Sequence, residues 1–123
     1  MSTAIGLSSG AYFVNQLACA WGARVTAFAA VEGGGPYGDC SGPTNALIIH
    51  DPSDPVVPAS EGAESRKHWL EADKCDNKES VWNGTCKMHA CAGNMHVATC
   101  APTSGVHSLG PGAREAALRF FDL

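Results

Sequence analysis

Ser8 stands in Gly6-Leu7-Ser8-Ser9-Gly10, a G-x-S-x-G pattern lying between a short apolar run and an apolar helical pattern. In a strand–turn–helix context that pattern exposes the central serine on a sharp turn, and small residues two positions either side let strand and helix approach. Acyl transfer through a serine also needs a base to take the hydroxyl proton and a buried acid to hold the base in the right tautomer. Asp54 and His107 are the candidates for these roles, and the chain order is Ser8, Asp54, His107.

The choice of acid and base comes from position. Asp51 and Asp54 both follow the apolar run Asn45–His50, and Asp54 sits deeper in the loop, ahead of Pro55-Val56-Val57-Pro58. Either aspartate also reads as a turn former. Of the five histidines, His50 ends an apolar strand and reads as a satisfied core residue. His68 lies on a helix, His89 among the cysteines and His96 at a strand start, whereas His107 lies between glycines in a loop.

The elements that must position these groups can be read from periodicity. Thr3–Gly6, Arg24–Val31, Asn45–His50 and His96–Ala101 are short apolar runs that fit buried strands. Ser9–Trp21, a segment from Ser60 to about Ala72, and Gly112–Phe121 carry apolar residues at helical spacing, with Gly22 ending the first helix and Ser60 capping the second. Lys74–Met95 shows little periodicity and reads as an irregular, disulfide-stapled excursion. Strands alternating with helices predict an α/β fold, a parallel sheet of about four strands with flanking helices, in a single domain over residues 1–123. In such sheets sites gather at the carboxyl ends of strands, where Ser8, Asp54 and His107 all fall.

Composition narrows the function classes. The chain has 123 residues, 45% of them hydrophobic and 16% charged, which fits a globular domain. A net charge of −4 with scattered basic residues leaves no electrostatic footprint for nucleic acid. No apolar run is long enough to span a membrane. Six cysteines, four of them between Cys75 and Cys100, suggest disulfides and an oxidising compartment, as does the glycosylation sequon Asn83-Gly84-Thr85. Met1-Ser2-Thr3-Ala4 is nevertheless no signal peptide. Cys86, His89, Cys91, His96 and Cys100 also form a candidate zinc-binding set, although paired C-x-x-C spacing is missing. Tyr37 and Trp82, both placed in loops, are candidate walls of a substrate pocket, while Trp69 reads as helix-to-sheet packing. The run Gly33-Gly34-Gly35 reads as a flexible loop, with a replacement oxyanion donor as the alternative.

The segments GLSSGAYFVNQLAC and IIHDPSDPVVP, with SEG and HWL following, the cysteine spacing and the late histidine resemble the esterase/depolymerase group of α/β-hydrolases. That group includes secreted polyhydroxybutyrate depolymerases and feruloyl and acetylxylan esterases. The resemblance implies Ser8 as nucleophile, Asp54 as acid, His107 as base and the Ser9 N–H as one oxyanion donor. It implies no cofactor and no metal, a small or polymer-derived ester as substrate, and secretion. It also reads the cysteines as disulfides, for which Cys75–Cys86 and Cys91–Cys100 are the expected pairs, with Cys19 and Cys40 paired or free. The resemblance covers the family's C-terminal half only. The strand before Ser8 then becomes a sheet edge, which predicts homo-oligomerisation or a separate N-terminal half. A non-catalytic half-domain that self-associates is the rival reading.

Overall fold

The computed structural model describes residues 2–84, 86–103 and 107–123. β1 (Ser2–Leu7) turns at Ser8 into α1 (Ser9–Trp21), and a 3-10 turn leads to β2 (Val25–Val31). There follow β3 (Asn45–Ile49), α2 (Ala59–Ala72), β4 (Ser80–Trp82), β5 (Cys86–Ala90), β6 (His96–Cys100) and α3 (Pro111–Phe121). One mixed sheet runs in the order β1-β2-β3-β6-β5-β4, with β1, β2, β3 and β6 parallel and the β5 and β4 pairings antiparallel.

The sheet is buried on both faces, which explains why β2 and β3, apart from Thr26 and Asn45, are continuously apolar rather than alternating. Phe28 and Ala30 of β2 and Ala46 and Ile48 of β3 pack under Ala11, Val14 and Ala18 of α1 and Trp69 of α2. Ala27, Ala29, Val31, Leu47 and Ile49 face the other way, onto Ala116, Ala117 and Phe120 of α3. Trp69 is fully buried, its ring centroid 5.2 Å from that of Phe28, and its indole N–H donates to Asn15 Oδ1 at 2.8 Å. It does the helix-to-sheet packing expected of it.

The four parallel strands are the expected ones, but the sheet has six. The extra pair comes from the excursion, where Cys-Lys-Met-His-Ala forms β5 without a single β-branched residue. Its pairing with β6 makes it a strand, not its own propensity. The same register overturns the expected disulfides. Cys86 stands directly opposite Cys100 and is bonded to it, and Cys75 pairs with Cys91 across an isolated bridge. Cys19–Cys40 ties the segment after β2 to α1. The bridges close separations of 21, 16 and 14 residues, each worth about 3 kcal/mol against the unfolded chain. Three disulfides are compatible with an oxidising, extracellular setting.

Two helix ends also differ from expectation. Pro58, not Ser60, is the residue preceding α2, and Ser60 lies inside its first turn. Gly22 ends α1 as expected, at φ +55° with its N–H bonded to the Ala18 carbonyl. Among the described residues β1 has β2 as its only partner in the sheet, and its outer edge is unpaired. No helix among the described residues is long and apolar enough to cross a membrane.

Candidate active site

The turn at Ser8 is the point at which sequence dictates the site. Ser8 has φ +58° and ψ −115°, a region that a residue with a side chain enters only under constraint. Its N–H bonds to the Val31 carbonyl at 2.8 Å, carrying the β1–β2 ladder one residue past the strand, and its carbonyl accepts from Ala11 N at 2.9 Å. A serine before a helix ordinarily caps it with its hydroxyl. Ser8 makes no side-chain cap bond, so its hydroxyl is left for other work. Ser9 is the first residue of α1, where the backbone N–H has no carbonyl within the helix to bond.

The two glycines of the pattern do different things. A Cβ on Gly6 would lie 2.1 Å from the Gly10 carbonyl oxygen, so no side chain fits there. A Cβ on Gly10 would meet nothing within 4 Å, against the expectation that both positions are crowded. A third glycine takes up the role: a Cβ on Gly33 would lie 2.5 Å from that of Ala11 and 2.7 Å from the Ser8 carbonyl oxygen. Gly33 is buried against the turn and Gly34 against Tyr12 and Glu61, so the expected triglycine loop begins as a packed support.

Asp54 is placed by the Asp51-Pro52-Ser53-Asp54-Pro55 turn. Asp51 Oδ1 accepts from Ser53 N at 2.8 Å and its carbonyl accepts from Asp54 N at 3.0 Å. Asp54 Oδ1 then accepts from the N–H groups of Val56 at 2.7 Å and Val57 at 3.0 Å. Its other oxygen, Oδ2, lies 2.8 Å from His107 Nδ1. The Asp54 side chain is fully buried and that of His107 is 16% exposed. Asp51, the competing aspartate, builds the turn that carries Asp54.

The structure adds a residue that is not among the candidates from the sequence. Glu32 follows β2 directly, at φ +57°, and is 2% exposed. Its carboxyl oxygens lie 3.0 and 3.2 Å from the Asp51 backbone nitrogen, and one of them lies within 4.8 Å of an Asp54 carboxyl oxygen. The signal available in the sequence was its placement: an acid directly after an almost wholly apolar strand, at the same end of the sheet as Ser8. The register makes this explicit. Ser8 N–H bonds Val31 O, Glu32 N–H bonds Ile49 O at 2.9 Å, and His50 N–H bonds Cys100 O at 3.0 Å. Ser8, Glu32 and His50 therefore stand in line, one residue beyond three adjacent strands.

Electrostatics follow from burial and from this contact. Glu32 is pushed up to about 8, first by desolvation and then by its hydrogen bond to Asp54, with the Asp51 N–H opposing. Burial also works against the Asp54 carboxylate, but hydrogen bonds from Glu32, His107, Val57 N–H and Val56 N–H outweigh it and hold Asp54 well below the usual carboxylate range. Burial and mutual proximity thus push the two carboxyl groups apart, Glu32 up and Asp54 down.

The remaining histidines lie elsewhere or do other work. His50 is buried with Nε2 2.9 Å from the Val57 carbonyl oxygen, 3.5 Å from Glu32 and 3.6 Å from Asp54. Its Nδ1 has no partner among the described residues, so the expected satisfied core residue is satisfied on one side of its ring only. His68 Nε2 lies 3.2 Å from Cys40 Sγ, and burial lowers its proton affinity. His89 Nδ1 lies 2.7 Å from the Asp76 carbonyl oxygen, with Arg66 and Glu79 near Nε2. His96 begins β6, its N–H bonded to Asn45 Oδ1.

A cavity of about 620 Å³ opens on the α3 side of this edge, lined by Val31, Glu32, Ile49, Pro102, Ala113 and Ala116 among others. Ser108, beside His107, and the disulfide-bonded Cys86 and Cys100 reach it too. Trp82 packs on Phe120 at 6.0 Å between ring centroids, and the next residues, Asn83 and Gly84, line the cavity. Tyr37 is 67% exposed, its backbone paired with the Gln16 amide. Thr85 of the sequon and Gly105 and Val106 of the histidine loop lie outside the described residues.

Glu32, Asp54 and His107 offer ligand atoms within 4.8 Å of one another, a carboxylate–imidazole set that can hold a divalent cation. Asp54 Oδ2 is already engaged by His107 Nδ1 at 2.8 Å. All six cysteines are in disulfides, which leaves no thiolate for the zinc set drawn from Cys86, Cys91 and Cys100. Compared with models of known protein families and with curated protein sequences, the chain matches none.

Proposed function

We propose that the protein is a serine carboxylic-ester hydrolase of α/β-hydrolase type, acting through Ser8, Asp54 and His107. The observation that carries this reading is the buried 2.8 Å contact between Asp54 and His107 at the sheet edge where Ser8 is held in a left-handed turn. With Nδ1–H committed to Asp54, His107 has Nε2 to take the Ser8 hydroxyl proton, and Asp54 stabilises the imidazolium that results. Ser8 Oγ attacks the ester carbonyl, the alcohol leaves with the proton returned by His107, and water hydrolyses the acyl-enzyme by the same path. The Ser9 N–H, at the positive end of α1, donates to the tetrahedral oxyanion.

The apolar cavity beside Glu32 suits the carbon skeleton of a small or polymer-derived ester. Secretion is supported by the three disulfides. The unpaired edge of β1, with Ile5 exposed on it, supports association with another strand, in the first instance a second copy. A clean monomer by light scattering at micromolar concentration would remove that part of the reading.

Two experiments test the activity. A fluorophosphonate probe is expected to label Ser8 stoichiometrically, since only an activated serine reacts. Ser8→Ala is expected to abolish both labelling and hydrolysis of a short p-nitrophenyl ester; full hydrolysis by the variant overturns the assignment. An intact, unlabelled wild-type protein favours the non-catalytic, self-associating half-domain.

A further inference from the structure

Hydrolysis by a serine triad has no use for a second buried acid, yet Glu32 is built into the site with care. It holds a left-handed backbone conformation without being glycine, at the end of a strand wholly buried apart from Thr26. Its carboxyl group is fixed between the Asp51 N–H and the Asp54 side chain. The titratable groups facing it are Asp51 and Asp54 from the loop after β3, His50 at the end of β3, and His107 after β6. Glu115 of α3 borders the same cavity.

Two carboxyl groups with oxygens within 4.8 Å of each other in a buried site cannot both ionise cheaply, so one holds a proton. Among the described residues, Asp54 receives two backbone N–H groups and the His107 ring, whereas Glu32 receives one backbone N–H. The better-solvated anion is Asp54. We propose that Glu32 is a positioning residue that acts in its acid form, donating a hydrogen bond to Asp54 and so fixing the carboxylate that orients His107. This rests on the triad reading above. Loss of the Glu32 proton sets two anions against each other, displaces Asp54 and loosens His107, so hydrolysis falls in mild alkali.

The test pairs a measurement that needs no turnover with one that does. In protein carrying ¹³C-labelled glutamate carboxyl groups, the resonance lost in Glu32→Gln is expected to titrate near pH 8 in the wild type. Titration in the ordinary glutamate range, about 4.3, overturns the proposal. In the ester assay, Glu32→Gln keeps a donor towards Asp54 and is expected to retain more of the wild type's kcat near pH 7 than Glu32→Ala does, while losing the wild type's alkaline decline. Glu32→Ala removes the donor and is expected to lower kcat by roughly tenfold with little change in KM. An alkaline limb unchanged in Glu32→Gln also overturns the proposal. A protein without esterase activity in which Glu32 titrates near pH 8 sinks the hydrolase reading and retains the shared proton. An active enzyme in which Glu32 titrates normally sinks the positioning role alone.

Discussion

Asp54 Oδ2 and His107 Nδ1 meet at 2.8 Å although 53 residues separate them, and the Asp54 carboxylate that makes the contact is sealed from solvent. The two backbone donors on its other oxygen keep it ionised and correctly turned. Asn at position 54 retains the shape but presents an uncharged amide to the ring, which disfavours the Nδ1–H tautomer. Asp54→Asn is expected to lower kcat by about 10⁴, with fluorophosphonate labelling of Ser8 slowed in parallel. Near wild-type turnover in this variant would remove Asp54 from the mechanism.

The asymmetry between the glycines of the turn can be measured directly. Gly6→Ala drives a methyl group into the Gly10 carbonyl and is expected to prevent folding or cost at least about 3 kcal/mol. Gly10→Ala meets open space inside a helix and is expected to stabilise by up to about 1 kcal/mol in urea denaturation. Equal losses in the two variants would contradict the packing described for the turn.

Glu32 gives stability a definite pH dependence. The folded protein keeps the Glu32 proton up to about pH 8, while the unfolded chain releases it near the ordinary value of 4.5. Between these limits unfolding releases a proton, so stability from this group falls as pH rises. Asp54 acts oppositely: its depressed pKa stabilises the fold above its unfolded value and that gain is lost in acid. Glu32→Gln is therefore expected to gain stability at pH 8 relative to its effect at pH 4.5, by up to about 4 kcal/mol for a shift of that size. Thermal denaturation of both proteins at the two pH values checks this, and a pH-independent difference would refute it.

Disulfide mapping by proteolysis and mass spectrometry is expected to return Cys19–Cys40, Cys75–Cys91 and Cys86–Cys100. Replacing Cys86 and Cys100 together by serine is expected to cost about 2–4 kcal/mol and to weaken the cavity wall that the bridge forms.

Much of this molecule follows from local pattern. β2 and β3 are continuous apolar runs because both sheet faces are covered, and such runs are visible as they stand. The serine turn is equally local: Gly6 is required by a contact four residues away. Asp54 and His107 could be singled out because parallel strands deliver their following loops to one edge. What a linear pattern does not contain is pairing between segments. β5 is a strand only because β6 lies beside it, and without that register the partners of Cys75, Cys86, Cys91 and Cys100 stay open. Glu32 reads as a loop residue until the β1–β2–β3 register sets it level with Ser8 and within reach of Asp54. Its proton is the clearest case: burial and a neighbouring carboxylate decide it, and both are properties of the folded chain alone.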